Sequence, residues 1–494
     1  MLFLGFDIGS SFVKGAVIDG ETGKPLLSAQ YPEKELDMIS TQTGWAEQDP
    51  EMWWFSVKEI AKSLAARLGK RKNEIAAIGI SYQMHGLVLV DKNQQALRPS
   101  IIWCDSRATD IGRKAFQDLG QEKCLGHLLN SPGNFTASKM KWVLDHEKSL
   151  LEKADKMMLP GDFVALKMTG EARTTISGLS EGMLWDFKQK EAAHFLLDYY
   201  GISADYLPPQ LTSFEYSGQL TAIAANEMGL APGIPVTYRA GDQPNNALSL
   251  KALEPGELAA TAGTSGVIYG ISDQVKYDPQ SRVNTFAHVN YTPEKPRLGI
   301  LLCINGTGIL NRWVKENTGW TDYESMNTAA SAVNVGSDGL YIVPFGNGAE
   351  RVINDRNIGS SIHGLSFNQH TRAHLVRAAQ EGIVFSLFYG MEIMKELAIS
   401  PTTIRAGHAN MFLSPIFSNT LSSLSQVPIE LFNTSGAVGA AIGAALGHKY
   451  YSSADEAFHG LEVIKTIEPG KDNAALEDAF QSWSKILNSQ LAED

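Results

Sequence analysis

Asp7 stands at the end of an apolar run, LFLGFDIG, and is followed by Gly9, Ser10 and Ser11. A glycine lets the backbone come close to a ligand, and successive N–H groups beside hydroxyls form an anion-binding nest. A carboxylate in such a turn disfavours a bare phosphate but suits one approached through Mg2+, a hard, oxygen-seeking cation. Lys14 adds a positive charge nearby. The segment TAGTSG at 261–266 offers a second nest, with Gly263, Thr264 and Ser265 and no carboxylate. An Asp-x-Gly turn is common in structural roles. Two phosphate-type turns in equivalent halves of one chain are a far more specific signal.

Three other groups of residues could do chemistry. Asp242, in YRAGDQPNNAL, follows the apolar PGIPVTY and should emerge where a strand gives way to a helix. It is either an N-cap for that helix or a base that takes a proton from a substrate hydroxyl during phosphoryl transfer. Its place just ahead of the second nest favours the base. A polar knot, Gln83-Met84-His85-Gly86, interrupts two apolar strands. His85 is either a packed imidazole or a ligand, and Gly86, a mark of close backbone approach, favours a pocket wall. In IIWCDSRA, Trp103, Asp105 and Arg107 alternate and share a face if the segment is extended. They suit a sugar, by stacking and hydrogen bonds, or a structural ion pair under an aromatic lid.

The elements that must hold these residues are α/β in pattern. LFLGFDIG and VKGAVID read as strands joined by a turn. EMWWFSVKEIAKSLAARLG has helical spacing that puts Trp54, Val57, Ile60 and Ala61 on one face. IAAIGISYQ and LVLVD are further strands, whereas AFQDLGQEKCLGHLL, SKMKWVLDHEKSLLEKA and EAAHFLLDYYG are helical in pattern. Setting Asp7 over Thr261 aligns FDIGSSFVKGAVID with ATAGTSGVIYGISD, an offset close to half the chain. Two unrelated hairpins of similar composition explain this, or a duplicated domain in which each copy turns a hydroxyl-rich loop toward a shared cleft. With 494 residues, two large domains are expected, 1–247 and 248–494, the boundary lying near 245–256.

Composition narrows the partners. A formal net charge of -12 argues against a nucleic-acid surface, but a nucleotide needs only a local pocket of donors. Cys104, Cys124 and Cys303 are too few and scattered for a disulfide framework or zinc site, and read as small buried residues. The N-terminal apolar run lacks a basic flank and is too short for a signal peptide or membrane span, so a cytoplasmic location is expected.

Together these blocks resemble the FGGY carbohydrate kinases of the sugar kinase–actin ATPase superfamily, over nearly the whole chain. DIGSS is similar to the family's Asp-x-Gly-Thr turn, with Ser10 for Thr. GWAEQDPEMWW, NFTASKMKWVLDH, LPGDFVALKMTGE, AGDQPNNAL, AGTSG, GNGAERV and GAVGAAIGAALG resemble further family segments. The resemblance implies an α/β fold of two actin-like (ribonuclease H-like) domains with the active site in the cleft between them. It implies ATP as phosphoryl donor with Mg2+, a small sugar as acceptor, and a homodimer as in many members. QMHG followed by LVLVD resembles the members that phosphorylate D-xylulose, where glycerol-specific members carry an Arg-Glu pair. By this resemblance Asp242 is the general base and Asp7 organises metal and phosphates. Gln83, Met84, His85, Trp103 and Asp105 would face the sugar. Gly9, Ser10, Ser11, Lys14, Gly263, Thr264, Ser265, Gly407 and Asn410 would face the nucleotide. One departure stands out: the family's second signature opens on Gly-Gly-Gly-Ala, whereas AGHANMF puts Ala406 and His408 at glycine positions.

Overall fold

The computed structural model describes residues 1–471 and 473–493. Its first half is built on strands β1 (Leu2–Ile8), β2 (Val13–Asp19), β3 (Pro25–Tyr31), β4 (Ile75–Tyr82) and β5 (Val236–Gly241). They form one sheet in the order β5-β4-β1-β2-β3, with β1–β2 and β2–β3 antiparallel and β1–β4 and β4–β5 parallel. The second half repeats the pattern. Its strands are β6 (Glu257–Ala262), β7 (Gly266–Ser272), β8 (Asn284–Ala287), β9 (Leu298–Ile304), β10 (Thr403–Gly407), β11 (Ile429–Phe432) and β12 (Val463–Ile467). The order β8-β9-β7-β6-β10-β11-β12 holds the same five-strand core with one antiparallel strand added at each edge. Both halves are actin-like, ribonuclease H-like α/β units. Asp7 and Thr261, aligned by sequence, are each the penultimate residue of the first strand of their sheet.

The expected helices form where caps and apolar spacing coincide. Helix α1 (Pro50–Leu68) starts on Asp49, whose side chain accepts from Glu51 N, and Pro50 presets the first turn. It buries Trp53, Trp54, Val57, Ile60, Ala61 and Leu64 against the first sheet. The helical run beginning at AFQDLG is broken at Gly120 (φ 87°) into two helices, and SKMKWVLDH forms α2 (Thr136–His146). Cys124 is buried and Cys303 half-buried, but Cys104 is exposed, so the expected burial fails there.

Strand β1 shows how the core sets the site. Leu2, Leu4, Phe6 and Ile8 face α1, leaving Phe3, Gly5 and Asp7 on the opposite side by the two-residue period. That opposite side is covered from the second half, by α7 (Gly436–Gly447), whose Ala440, Ala441 and Ala444 pack with Phe3 and Tyr238. A side chain at Gly5 would collide with the backbone of Ala437 and Ala441, and one at Gly79 with that of Ala440. The Gly/Ala-rich sequence therefore lets helix backbone lie on sheet backbone. In exchange, α4 (Asp242–Ser249) leaves the first sheet and buries Ala247 with Ala259, Tyr269 and Ile271 of the second half. Asn245 joins the two crossing helices by donating to Gly436 O at 2.9 Å. The position 247/248 expected as a boundary falls inside α4.

Candidate active site

Asp7 lies where the two halves meet, between Ser81 and Gly436. The Ser81 hydroxyl donates to its Oδ1 at 2.8 Å, and Gly436, the first residue of α7, approaches its Oδ2 so closely that any side chain there would collide. Burial raises the Asp7 carboxyl above its usual range, opposed by the Ser81 hydrogen bond and the charge of Lys14, its cross-strand neighbour. Asp242 is the first residue of α4, directly after β5. Burial first, and the Asp7 charge second, push its carboxyl up to about 7. A carboxyl poised there can hold or release a proton near neutrality.

The polar knot forms a turn after β4. Gln83 N donates to Ile8 O at 2.8 Å, and Gln83 Nε2 donates to Gln48 Oε1 at 3.1 Å. Gln83 Oε1 is buried without a hydrogen-bond partner among the described residues. Met84 lies against Gly241, where a Cβ would sit 2.6 Å from its Cγ. His85 takes a left-handed conformation (φ 62°), and its Nδ1 lies 2.9 Å from Glu181 O. A carbonyl only accepts, so Nδ1 carries the proton and Nε2 presents a lone pair. Burial, followed by the charge of Lys139, lowers the imidazole to about 3, keeping it neutral. Lys139 is itself fully buried, donating to His85 O at 2.8 Å and Ile102 O at 2.9 Å. It staples the knot to the segment that carries Trp103, and burial lowers its ammonium to about 7.

After a short strand that ends at Ile101, residues 102–108 are a turn rather than an extended strand, so Trp103, Asp105 and Arg107 do not share a face. Trp103 is 53% exposed, with its indole N–H 3.3 Å from Ser10 Oγ. Asp105 is fully buried, and both its oxygens are engaged by Arg107 and by Ala46 N. The Arg107 guanidinium lies 3.8 Å from the Trp45 ring centroid and 4.8 Å from that of Trp142. Placing Asp105 against the sugar is therefore corrected: it is the buried ion pair beneath an aromatic lid, with no acceptor left for a ligand.

On the first nest, Gly9 closes a turn by donating to Phe12 O at 3.0 Å, Ser10 and Ser11 are half-buried, and Lys14 is exposed. Gln48 Nε2 holds Ser10 O at 2.6 Å. On the second nest, α5 (Gly308–Asn317) is stitched to the turn by Gly308 N to Gly263 O at 3.0 Å and Ile309 N to Thr264 O at 3.2 Å. Beside it opens a cavity of about 390 Å³ whose walls include Gly263, Thr264, Arg312, Tyr323, Asn410 and Met411. Ser265 and Gly407 flank this cavity in sequence without lining it; Gly407 ends β10 with open space beside it. Ala406 is buried in β10 and His408 is exposed at its end. Gln48, Ser81, Glu181, Arg312 and Tyr323 escaped the sequence reading. Ser81 and Gln48 sit inside segments that had been singled out, so proximity in sequence was the only available signal.

A magnesium site fits the donor set. Among the described residues no cluster of three or more His, Cys, Asp or Glu could enclose a metal. Mg2+ does not require one, since it binds through one or two carboxylates and completes its shell with phosphates and water. Asp7, directly before the Gly9–Ser11 turn, offers one such carboxylate. Among the described residues no helix is long and apolar enough to cross a membrane.

Comparison with known proteins identifies the family. Residues 2–249 match the N-terminal domain, and residues 258–448 the C-terminal domain, of the FGGY family of carbohydrate kinases. The chain is 31% identical over 473 residues to the xylulose kinase of Bacillus subtilis (strain 168), covering 92% of this chain and 89% of that protein. The crystal structure of a xyloylose kinase from Brucella ovis superposes with a TM-score of 0.91 at 25% identity, covering 100% of both chains. A gluconate kinase from Lactobacillus acidophilus shares the fold at a TM-score of 0.90 and 23% identity, covering 99% of this chain and 98% of that one. The chain belongs to the FGGY family of carbohydrate kinases.

Proposed function

We propose that this chain transfers the γ-phosphoryl group of ATP to O5 of D-xylulose, giving D-xylulose 5-phosphate. The observation that carries the reading is that Met84 and Glu181 both lie against Gly241, the residue before Asp242, while the Glu181 carbonyl holds His85 Nδ1. It is supported by curated xylulose kinases that are 26% to 31% identical over most of the chain. The first lobe, 1–247, carries sugar and base, and the second, 248–494, carries the nucleotide.

Asp242 accepts the proton of the acceptor hydroxyl as the new P–O bond forms. Neutral His85 offers Nε2 as an acceptor to a second sugar hydroxyl, Gln83 Oε1 suits a third, and Trp103 covers a C–H face. Gly9, Ser10, Ser11 and Lys14 face the transferred phosphoryl group, Gly263 and Thr264 the remaining phosphates, and Asn410 the nucleoside. Asp7 would hold Mg2+ with those phosphates, and the ion would supply charge neutralisation for the transfer. Closing the lobes excludes water, the competing nucleophile.

A coupled ADP-release assay over pentoses, ketoses and polyols tests the reading. Highest kcat/KM for D-xylulose is expected. Preference for L-ribulose, L-xylulose or a polyol would move the chain to another specificity within the family. Sugar-dependent compaction with no ADP formed would make it a silent sensor.

A further inference from the structure

We propose that Glu181 is a positioning residue of the acceptor site, a buried carboxyl group that holds the backbone carrying Asp242 in register with Met84 and His85. The inference rests on the sugar-kinase reading above. Glu181 ends α3 (Ile176–Glu181), a short helix started by Thr175, whose hydroxyl accepts from Gly178 N at 3.0 Å. Only 1% of Glu181 is exposed.

Three contacts place it at the junction of the site. A Cβ at Gly241 would lie 2.5 Å from Glu181 Oε2 and 2.6 Å from Met84 Cγ, so the carboxyl and the thioether fill the space beside that glycine. Glu181 O takes the His85 Nδ1 proton at 2.9 Å and thereby sets the imidazole tautomer. The preceding Ser180 accepts from Ala287 N of β8 at 2.9 Å, while Phe286 of the same strand meets the His85 ring at a centroid distance of 5.5 Å. The end of α3 thus touches the knot, the strand before Asp242 and the edge of the second sheet.

Among the described residues the carboxyl makes no ion pair, and Lys139, which feels its charge, donates instead to His85 O and Ile102 O. Oε1 is buried without a hydrogen-bond partner among the described residues, and the His85 backbone N–H and the Tyr82 phenol favour the ionised carboxyl less than burial opposes it. Asp242 on α4, Asp162 on the helix Pro160–Thr169, Tyr82 on β4, His85, Lys139 on α2 and Tyr269 on β7 are the titratable groups that act on it or feel its charge. Burial, then Asp242 and Asp162, raise it well above the carboxylate range. An ionised group with an orphaned oxygen would be costly there, whereas a neutral one fills the space at little cost. Glutamine has the same shape and no charge, which makes the proposal testable.

The experiment compares Glu181→Gln and Glu181→Ala, each shown to be folded by its thermal transition, using the acceptor on which the wild-type chain is most active. For Glu181→Ala, kcat/KM for the acceptor should fall at least about tenfold, as expected from a loosened catalytic geometry, with KM for ATP within about twofold. Glu181→Gln should restore both to within about threefold. The infrared C=O stretch of a protonated carboxylic acid should be present in the wild type at pH 7 and lose intensity in Glu181→Gln. Unchanged acceptor kinetics in Glu181→Ala would reduce Glu181 to core filling, and a Gln variant as impaired as Ala would overturn its neutrality. If Ala does not fold, Glu181→Met fills the space without polar atoms and takes its place. Absence of turnover with every acceptor would sink the kinase reading instead, while the infrared measurement still decides the state of Glu181.

Discussion

Asp7 on β1 and Asp242, directly after β5, are carried by two strands of the same sheet, and the charge of Asp7 adds to burial in holding the Asp242 carboxyl up at about 7. Between them runs β4, whose Ser81 tethers Asp7. In the proposed phosphoryl transfer the pair would divide the labour: Asp7, tethered by Ser81, would stay with the phosphates, and Asp242 would change protonation state.

If Asp242 is the base, Asp242→Asn will lower kcat at least about a hundredfold, the usual worth of general-base catalysis. The same substitution will raise the thermal midpoint. With a folded-state pKa near 7 against about 4 when unfolded, folding takes up a proton at Asp242 in that window. Stability is therefore lost as pH rises from about 4 to 7, and asparagine removes the loss. The gain over wild type should be larger at pH 8 than at pH 5, read by thermal unfolding.

The pH dependence of kcat/KM for the acceptor reports the same group in the free enzyme. Activity should rise with pH through about 7 and then level, because only ionised Asp242 accepts a proton. His85, held neutral down to about 3, adds no second limb near neutrality. An acid limb centred near 4 would overturn the raised pKa of Asp242, and only its loss in Asp242→Asn would tie the limb to that residue.

Gly5→Ala tests the close approach of α7 to the sheet. The new methyl meets the backbone of Ala437 and Ala441, which cannot move without shifting the helix. Destabilisation of about 2 kcal/mol is expected from overpacking, measured by urea unfolding. Gly436→Ala strikes the Asp7 carboxyl instead and should lower kcat with a smaller change in stability.

Asp105→Ala should destabilise the fold by about 3–5 kcal/mol, because Arg107 is left buried with only Glu47 to answer it. Where the variant remains folded, acceptor KM should stay near the wild-type value. A selective rise in acceptor KM with unchanged stability would return Asp105 to the sugar.

Asn410→Ala should raise KM for ATP about five- to tenfold, the worth of one hydrogen bond, with acceptor KM unchanged. An effect confined to the sugar would place the nucleoside outside the cavity beside Gly263 and Thr264.

Much of this architecture was legible in the chain itself. The offset that aligned Asp7 with Thr261 corresponds to a real equivalence of strands, because β strands of like sequence meet like neighbours in both sheets. The two-residue period of LFLGFDI determined that Asp7 opposes the face bearing Leu4 and Phe6. Asp49-Pro50 and the spacing from Trp53 to Leu64 carried the limits of α1. These are local properties, and local sequence suffices for them.

What the tertiary structure decided is which distant segments meet. Nothing near GAVGAAIGAALG says that it lies on Gly5 and Gly79; that contact exists because only small residues on both sides let the backbones approach. The sequence left Asp105 between a sugar ligand and a structural ion pair, and the turn at 102–108 pairs it with Arg107. Glu181 carries no motif, and its meaning comes from the glycine it presses and the imidazole its carbonyl holds. Residue types and periods set which side chains could act and which face each would take. Burial and the pairing of groups far apart in the chain set their charge, since desolvation and neighbouring carboxylates arise only once the halves have closed.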